Sequence, residues 1–270
     1  MTADQPLLSN PRSDRVRQVA ALGRRAVRAR RGQLLVEGPQ AVRELVEHAP
    51  GAAREAYLTT EAAERHGDLV AAALAAGARV RECTPEVLAA MTDTEHPQGV
   101  VAVADRVDVP LPQALAGVGE GFVVLLAHVR DPGNAGTVLR GAAAFGAAAV
   151  LVSESSVDVY NPKVVRSTAG SLFHLPVVTG VPVAELLTGC REAGLRLLAA
   201  DAGGTTPLPE ADLGGPHAWV LGNEAWGLDP QVRQACDAAV AIPIVRAESL
   251  NLAMAATVCL HASSAARARR

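Results

Sequence analysis

The sequence lacks the features that mark a membrane protein, a secreted protein or a metal protein. No apolar run reaches the roughly 18 residues that a membrane-spanning helix needs, although 49% of the 270 residues are hydrophobic. Residues 1–14 are polar and contain no apolar signal-peptide core. The four cysteines are scattered without a C-x-x-C pair, and the histidines do not cluster along the chain. These absences predict a soluble protein of the reducing cytoplasm, with no disulfide framework, no metal and no membrane partner.

Two further absences narrow the function. No G-x-G-x-x-G follows a predicted strand, because Gly117-Val-Gly-Glu-Gly121 precedes one with the wrong spacing, which argues against a dinucleotide-binding dehydrogenase. Aromatic residues make up only 3% of the chain, so we expect Trp219 and Trp226 to anchor packing instead of stacking on bases. His128, His174 and His261 are expected to be structural.

Lysine is nearly absent, since Lys163 is the one lysine among 25 basic residues. The net charge of −3 does not by itself indicate a nucleic-acid partner, but residues 12–31 hold eight arginines against one acid. Such a cluster can neutralise RNA phosphates, which makes Arg12, Arg24 and Arg25 candidate RNA-binding residues. Arginine replaces lysine along the whole chain, however, and a compositional bias with a solvated basic face is the alternative interpretation.

Strand and helix patterns alternate along a chain that is long enough for two modest domains. Residues 1–106 are predicted to be a small α/β domain, with one helix at 12–31, and residues 107–120 have the proline- and glycine-rich composition of a linker. Residues 121–270 are predicted to be an α/β domain with a mostly parallel sheet, whose ligands bind at the carboxyl ends of strands. Its predicted strands are 122–127, 148–153, 195–200, 218–221 and 239–242, and its predicted helices are 137–145, 182–193, 230–236 and 250–266.

Three motifs stand where these strands end: Asn134-Ala-Gly136-Thr-Val-Leu-Arg140, Leu221-Gly-Asn-Glu-Ala-Trp-Gly-Leu228 and Ile242-Pro-Ile-Val-Arg-Ala-Glu-Ser-Leu-Asn251. Each joins glycine and a polar side chain to the start of a helix, where backbone N–H groups are free to hold a polar ligand. We expect Asn134 to cap the helix that follows it, with Arg140 roughly two turns further along. Each motif alone also fits an ordinary capped turn.

In this order and at this separation the motifs resemble the SpoU (TrmH-type) RNA 2′-O-ribose methyltransferases of the SPOUT superfamily. Ser9-Asn10-Pro11-Arg12, Leu35-Val36-Glu37-Gly38 and Thr94-Glu95-His96-Pro97-Gln98-Gly99-Val100 are similar to parts of the family's N-terminal substrate-binding domain. The resemblance implies an α/β protein with a small N-terminal α/β RNA-binding domain. Its C-terminal SPOUT α/β domain is expected to contain a mostly parallel sheet and a deep trefoil knot. S-adenosylmethionine as the cofactor and a homodimer formed through the knotted domain are implied as well.

The resemblance also implies roles for particular residues. Arg166 and Ser167 occupy an R-x-S-x-G-like segment that touches RNA in the family. The arginine that matches Arg140 in the family is proposed to activate the 2′-hydroxyl. Because a guanidinium is a poor base, we favour a different role for Arg140, in which it binds a phosphate and stabilises the developing alkoxide. The implied catalytic residues are Arg140, Asn134, Glu224, Ser249 and Asn251, and the implied cofactor-binding residues are Leu221, Gly222, Asn223, Ile242, Ile244 and Leu250.

The loop after Ile242 departs from the family pattern. Family members usually have an I-P-M-x-G-x-x-x-S-L-N-like loop, whereas this loop is one residue shorter and has Val245-Arg246-Ala247 in place of the glycine. A shorter and bulkier loop is expected to narrow the cofactor pocket. The sequence therefore favours 2′-O-methylation of RNA, with 23S ribosomal RNA ahead of transfer RNA. The alternative is a non-catalytic RNA-binding protein of the same fold with weakened cofactor binding.

Overall fold

The computed structural model describes residues 6–269, which form two compact units. The first unit comprises the chain up to Val107 together with Tyr160–His174, and the second comprises Asp108–Val159 and the chain from Leu175 onward. The division predicted from the sequence places Tyr160–His174 in the C-terminal domain. In the structure this segment packs with the first unit instead, because the helix it contains lies against a strand of that unit.

Helices and strands alternate along both units. In chain order they are α1 (Asp14–Ala20), α2 (Arg25–Arg31), β1 (Gln33–Glu37), α3 (Pro39–His48), β2 (Ala53–Thr59), α4 (Thr60–Arg65), α5 (Gly67–Ala75), β3 (Arg79–Cys83), α6 (Pro85–Met91), β4 (Val100–Asp105), α7 (Leu111–Ala116), β5 (Phe122–Leu126), α8 (Pro132–Ala144), β6 (Ala149–Ser153), α9 (Pro162–Thr168), β7 (Val177–Val181), α10 (Val183–Glu192), β8 (Arg196–Ala200), β9 (Thr206–Pro207), β10 (His217–Leu221), α11 (Pro230–Gln234), β11 (Ala238–Ala241) and α12 (Leu252–Ala268). Within residues 6–269, no helix is both long and apolar enough to cross a bilayer.

The first unit is built on a sheet of order β1-β4-β2-β3. Strand β4 runs antiparallel to both of its neighbours, and β3 runs parallel to β2. The single helix predicted for residues 12–31 is two helices, α1 and α2. The buried guanidinium of Arg28 explains the break, because it donates to the carbonyls of Leu22 (2.8 Å) and Gly23 (2.7 Å) and so holds the chain between the helices in a tight turn.

The second unit contains a parallel sheet of order β7-β6-β5-β10-β8-β11-β9. Every residue of β5, β6 and β10 is buried, because helices cover the central strands on both faces. The predicted α/β fold with a mostly parallel sheet is confirmed, whereas the trefoil knot stays a prediction. Strands β8, β10 and β11 are neighbours and end at the same edge of the sheet, where the second and third sequence motifs begin.

The segment predicted to be a linker contains α7, which packs into the second unit. Its Ala114 and Leu115 are buried in the core, and Leu111 fills the space beside Gly189, where an added Cβ would lie 2.8 Å from Leu111. The proline and glycine residues that made this segment look like a linker instead mark the two ends of the helix. Pro112 stands in the first turn, where no intrahelical N–H is required, and Gly117 follows the last residue.

His217 at the start of β10 belongs to a buried polar chain. Its Nε2 lies 2.8 Å from the Ser263 hydroxyl, which also accepts a 2.8 Å hydrogen bond from Trp219 Nε1, and its Nδ1 lies 2.8 Å from the Gly215 carbonyl. All four groups are satisfied when Nδ1 carries the proton and Ser263 donates to Nε2. This arrangement requires the neutral imidazole, and burial lowers the pKa of His217 below its usual 6.5.

We expect the stability of the protein to fall as the pH drops below about 6.5. Below that pH His217 is protonated in the unfolded state but stays neutral in the folded state. The free energy of unfolding therefore declines by up to about 1.4 kcal/mol per pH unit until the folded-state pKa is reached. Urea unfolding at pH 7.5 and 5.5 measures this loss. The variant His217→Asn should lose less stability between the two pH values, and an equal loss in variant and wild type would contradict the assignment.

Candidate active site

A cavity of about 280 Å³ opens where β8, β10 and β11 end. Its walls are the residues that directly follow these strands, namely Asp201 and Ala202 after β8, residues 222–225 after β10, and Ile242 and Ile244 after β11. Ser249, Leu250, Leu252 and Ala255, at the start of α12, close it. The carboxyl edge of a parallel sheet is where α/β proteins bind ligands, so the fold alone gathers these separated segments into one site.

All the residues predicted to bind the cofactor line this cavity: Leu221, Gly222, Asn223, Ile242, Ile244 and Leu250. The predicted catalytic residues Glu224 and Ser249 line it too. Leucine and isoleucine side chains form an apolar wall, and Asp201 and Glu224 add carboxylates. A site with an apolar wall and a few convergent polar groups is suited to a small organic molecule.

Gly222 is required by the tight loop that follows β10. Asn223 N donates to the Gly227 carbonyl (2.8 Å), and Gly227 N donates to the Asn223 carbonyl (2.9 Å), which closes the loop on itself. A Cβ on Gly222 would overlap the carbonyl group of Gly227 and the amide nitrogen of Leu228. The loop therefore has its cavity-lining form only with glycine at this position.

Hydrogen bonds connect the three sequence motifs to one another. Glu224 Oε1 accepts from Asn134 Nδ2 (3.3 Å), and Asn134 Oδ1 accepts from Asn251 Nδ2 (2.9 Å). The Glu224 carboxylate also accepts from the backbone N–H groups of Arg130 (3.1 Å) and Asp131 (3.0 Å), at the start of α8, where a negative charge is stabilised by the helix dipole. The side chains of Asn134, Glu224 and Asn251 thus form one polar bridge, hereafter the Asn–Glu–Asn bridge.

The expected cap of α8 is wrong, because Asp131 caps this helix in place of Asn134. Asp131 Oδ1 accepts from Asn134 N at 2.7 Å, and Pro132 occupies the first helical turn. Aspartate followed by proline is a strong helix start, and it leaves the Asn134 amide available for the bridge. Asn251, by contrast, does cap α12, with Oδ1 accepting from Ala253 N (2.9 Å) and Met254 N (3.3 Å).

The variant Asn251→Asp separates the two tasks of Asn251. Aspartate keeps the cap oxygen but loses the amide donor to Asn134. We therefore expect thermal stability near that of the wild type, together with a loss of about tenfold or more in the RNA methylation that the sequence resemblance implies, the equivalent of about one hydrogen bond. Asn251→Ala, which removes both, should also lose about 0.5–2 kcal/mol of stability. Thermal melts and transfer rates of the two variants measure these effects. Full activity of Asn251→Asp would show that the bridge has no functional role.

Arg140 lies on α8 about 9 Å along the helix axis from Asn134. It is exposed, and it makes no hydrogen bond or ion pair with residues 6–269. It shares an exposed stripe of the helix with Gly133, Thr137 and Ala144, and it does not line the cavity. Its guanidinium is therefore available to an anionic ligand that arrives from solution.

The shortened loop does not fill the cavity. Val245, Arg246 and Ala247 are exposed, Val245 to 94%, and none of them lines the cavity wall. The expected narrowing is therefore not seen, because the three bulkier residues face solvent while Ile242, Ile244 and Ser249 on either side of them form the wall.

The predicted RNA-binding arginines divide into two groups. Arg12, Arg24 and Arg25 are exposed, and their side chains have no partner within residues 6–269. Arg166 and Ser167, on α9 in the first unit, are engaged instead: Arg166 Nη1 lies 3.0 Å from Glu37 Oε1, and the Ser167 hydroxyl donates to the Val164 carbonyl at 2.9 Å. The structure thus leaves the first group open to phosphates.

Two features of the site were not predicted from the sequence. Asp201 at the end of β8 lines the cavity and pairs with Arg233 at 3.0 Å. An acid directly after the apolar run Leu-Leu-Ala-Ala would have been a usable signal.

The second feature is His128, which follows β5 and has a left-handed backbone (φ 59°). Its N–H donates to the Ser153 hydroxyl (3.0 Å), and its carbonyl accepts from Asn223 Nδ2 (2.8 Å). This strained residue fixes the loop ahead of α8.

One group of residues in the first unit has the composition of a metal site. Ligand atoms of Glu44, His48 and His174 all lie within 4.8 Å of one another. His174 Nε2 is 2.7 Å from Glu44 Oε2, and this hydrogen bond lowers the pKa of Glu44. A histidine–carboxylate hydrogen bond is enough to hold these side chains together without a metal ion. That the protein binds no metal stays a prediction from the sequence.

Comparison with known proteins places this geometry in a family. Residues 121–261 match the model of the SpoU rRNA methylase family, and residues 35–110 match the model of an RNA 2′-O ribose methyltransferase substrate-binding domain. An uncharacterised tRNA/rRNA methyltransferase of Synechocystis sp. is 32% identical over 97% of this chain and 94% of its own length. One from Mycobacterium avium is 34% identical over 78% of this chain and 70% of its own length.

Two solved structures cover nearly the whole chain. The AdoMet-bound rRNA methyltransferase of Sinorhizobium meliloti superposes with a TM-score of 0.84 at 27% identity, over 96% of this chain and 97% of that one. The SpoU methyltransferase AviRb of Streptomyces viridochromogenes, solved in complex with AdoMet, has a TM-score of 0.81 at 32% identity, over 95% and 99%. The chain belongs to the SpoU rRNA methylase family and is an RNA methyltransferase of that family.

Proposed function

We propose that this protein transfers a methyl group from S-adenosylmethionine to a ribose 2′-hydroxyl of RNA, and that the RNA is 23S ribosomal RNA. The observation that carries the proposal is the Asn–Glu–Asn bridge beside the cavity, because it brings side chains of all three motifs to one place. The description of the matching substrate-binding model, RNA 2′-O ribose methyltransferase, supports the ribose as the target.

The cavity fits S-adenosylmethionine. Its apolar wall of Leu221, Ile242, Ile244 and Leu250 suits an adenine ring, and the closed loop after Gly222 brings backbone groups to the cavity edge. Asp201 supplies a carboxylate that can accept hydrogen bonds from ribose hydroxyls. When bound, S-adenosylmethionine supplies an electrophilic methyl group on its sulfonium. The two related crystal structures with AdoMet support the same use of this fold.

The protein's own contribution is alignment and electrostatics. The Asn–Glu–Asn bridge links the start of α8 to the start of α12 beside the cavity, and alignment of reacting groups supplies on the order of 7–11 kcal/mol in favourable cases. Arg140 binds a phosphate of the target nucleotide and stabilises the charge that develops on the 2′-oxygen. The 2′-proton passes to solvent, because a guanidinium is a poor base.

Ribosomal RNA is favoured over transfer RNA by the coverage of related structures. The rRNA methyltransferase of Sinorhizobium meliloti aligns with both units of this chain, over 96% of its length. A structure described as showing 2-OH methylation of C/U34 on tRNA aligns with only 55% of this chain. The substrate-binding domain in the first unit is thus shared with the rRNA enzyme, and we assign its unpaired arginines Arg12, Arg24 and Arg25 to RNA phosphates.

We also propose that the protein acts as a homodimer in the cytoplasm. Met254 and Val258 form an exposed apolar face of α12 (59% and 40% exposed), and Trp226 beside the cavity is 58% exposed. An exposed apolar face next to a site is typical of two-fold dimers, whose standard interfaces bury about 800 Å² per partner. Four free cysteines, of which Cys83, Cys190 and Cys259 are buried, suit a reducing compartment.

Isothermal titration with S-adenosylmethionine and S-adenosylhomocysteine separates the enzyme from the non-catalytic alternative. We expect micromolar dissociation constants, about −8 kcal/mol, without RNA, because the cavity is already formed. Absence of binding at millimolar ligand, both without and with 23S ribosomal RNA, would reject the enzyme and leave an RNA-binding protein that has lost its cofactor.

A further inference from the structure

The cluster of Glu44, His48 and His174 in the first unit brings two imidazoles to one carboxylate oxygen. Glu44 Oε2 lies 2.7 Å from His174 Nε2 and 3.4 Å from His48 Nε2. The two rings are in contact, with their centroids 4.1 Å apart. The hydrogen bond to Glu44 explains the position of His174. It does not explain the position of His48, because 3.4 Å exceeds the length of an ordinary N–H···O hydrogen bond.

The fold places each of these side chains. Glu44 and His48 stand one turn apart on α3, so they share one face of that helix. His174 lies 130 residues after Glu44 in the chain, in a segment that packs with the first unit. This segment lies directly on α3, because a Cβ added to Gly170 (φ 94°) would overlap the Glu44 side chain. The separation along the chain is the reason why the sequence predicts no metal.

The carboxylate of Glu44 also has an outer partner. Glu44 Oε1 accepts a hydrogen bond from Gln40 Nε2, one turn earlier on α3. This bond restrains the rotation of the carboxylate and leaves Oε2 to the two imidazoles. Carboxylates that bind metal ions are held by outer hydrogen bonds in the same way. The His48 and His174 side chains are 39% and 35% exposed, so an ion can reach the cluster from solvent.

We propose that Glu44 Oε2, His48 Nε2 and His174 Nε2 bind a Zn²⁺ ion, with water as the fourth ligand. Zinc binds imidazole nitrogen and carboxylate oxygen at about 2.0–2.2 Å, so the ligand atoms of a tetrahedral site lie about 3.3 Å apart. The separations of 2.7 and 3.4 Å lie on either side of this value, and small side-chain rotations complete the site. The ion takes the place of the hydrogen atom between Glu44 and His174, and it gives His48 a partner.

The donor set and its position define what the ion does. Two imidazoles and one carboxylate favour Zn²⁺ over Mg²⁺, which prefers oxygen ligands. The ligands join α3 to the segment Tyr160–His174, so the bound ion stabilises the packing of this segment in the first unit. None of the three residues lines the cofactor cavity. The role of the ion is therefore structural, and it is independent of the proposed methyl transfer.

Calorimetric titration of Zn²⁺ into the chelator-treated full-length protein tests the site. We expect one ion per chain, with an affinity that an excess of Mg²⁺ does not change. Glu44→Gln and His48→Gln should each weaken binding at least about 100-fold, and Gln40→Ala, which removes the outer partner, about 10-fold. The matched control is His96→Gln, which replaces an exposed histidine of the same unit outside the cluster and should bind Zn²⁺ like the wild type.

Melting temperatures separate loss of the site from damage to the fold. Without metal, His48→Gln should melt close to the wild type, because the His48 ring makes no hydrogen bond with residues 6–269. Zn²⁺ should then raise the melting temperature of the wild type and of His96→Gln, but not that of His48→Gln. A wild type that does not bind Zn²⁺, or a folded His48→Gln that binds it equally well, would overturn the proposal. Neither result would change the proposed function, which S-adenosylmethionine binding in the same preparations tests separately.

Discussion

Gly222→Ala is expected to weaken S-adenosylmethionine binding severely. The added Cβ meets the backbone of Gly227 and Leu228, and neither backbone group can move without breaking the two hydrogen bonds between Asn223 and Gly227. The loop that lines the cavity must therefore open or shift. We expect an affinity loss of at least about 100-fold, or about 2.7 kcal/mol, in a calorimetric titration. Overpacking of this kind should also lower the stability of the protein by about 1–3 kcal/mol.

Gly215→Ala is the matched control for this substitution. Gly215 lies in the same unit, just ahead of β10, and a Cβ added there meets no atom within 4 Å. The control should bind S-adenosylmethionine like the wild type. Circular dichroism at the titration temperature shows whether Gly222→Ala is folded. A folded Gly222→Ala protein with wild-type affinity would mean that the cofactor does not depend on this loop.

Arg140→Ala is expected to reduce methyl transfer by about 100- to 1000-fold while leaving S-adenosylmethionine affinity within about twofold. The side chain is exposed and unpaired within the described chain and does not line the cavity, so its loss should change neither folding nor cofactor binding. The loss should appear in kcat, because charge on the 2′-oxygen develops only in the transition state, and also as a higher KM for RNA, because the phosphate contact already exists in the bound substrate. Single-turnover transfer rates and the melting temperature measure the two effects.

Two further variants sharpen this test. Arg140→Lys keeps the charge but not the planar fork of the guanidinium, and we expect it to recover only part of the rate. Arg191→Ala removes an exposed arginine of α10 in the same unit, and it should transfer methyl groups like the wild type. Equal losses in Arg140→Ala and Arg191→Ala would reduce the role of Arg140 to general charge attraction of RNA.

The sequence was most informative about the second unit, because its local patterns have a direct structural cause. Continuous apolar runs such as residues 122–126 and 218–221 become fully buried parallel strands. The cavity-lining residues could be predicted because glycine and polar residues stand directly after these strands. Short elements with weaker patterns were missed, among them the edge strand β7, whose Gly180 interrupts the apolar run with a positive φ of 72°.

Long-range contacts could not be predicted from one sequence. Arg166 pairs with Glu37, which lies 129 residues earlier, and nothing in the local pattern around either residue indicates this partner. The same is true of the link from Asn134 to Asn251 across 117 residues. The cap of α8 is a different case, because Asp131-Pro132 is a typical helix start and this cap could have been predicted from the sequence.

The most direct test of the proposed function is methyl transfer followed by alkaline hydrolysis. The protein is incubated with methyl-labelled S-adenosylmethionine and unmodified 23S ribosomal RNA, and the product is hydrolysed in alkali. A methylated 2′-oxygen cannot attack the adjacent phosphate, so ribose methylation leaves the label in an alkali-resistant dinucleotide. We predict that the label appears there and is lost with Arg140→Ala. Label in mononucleotides would place the methyl group on a base and contradict the assignment of the ribose 2′-hydroxyl as the target.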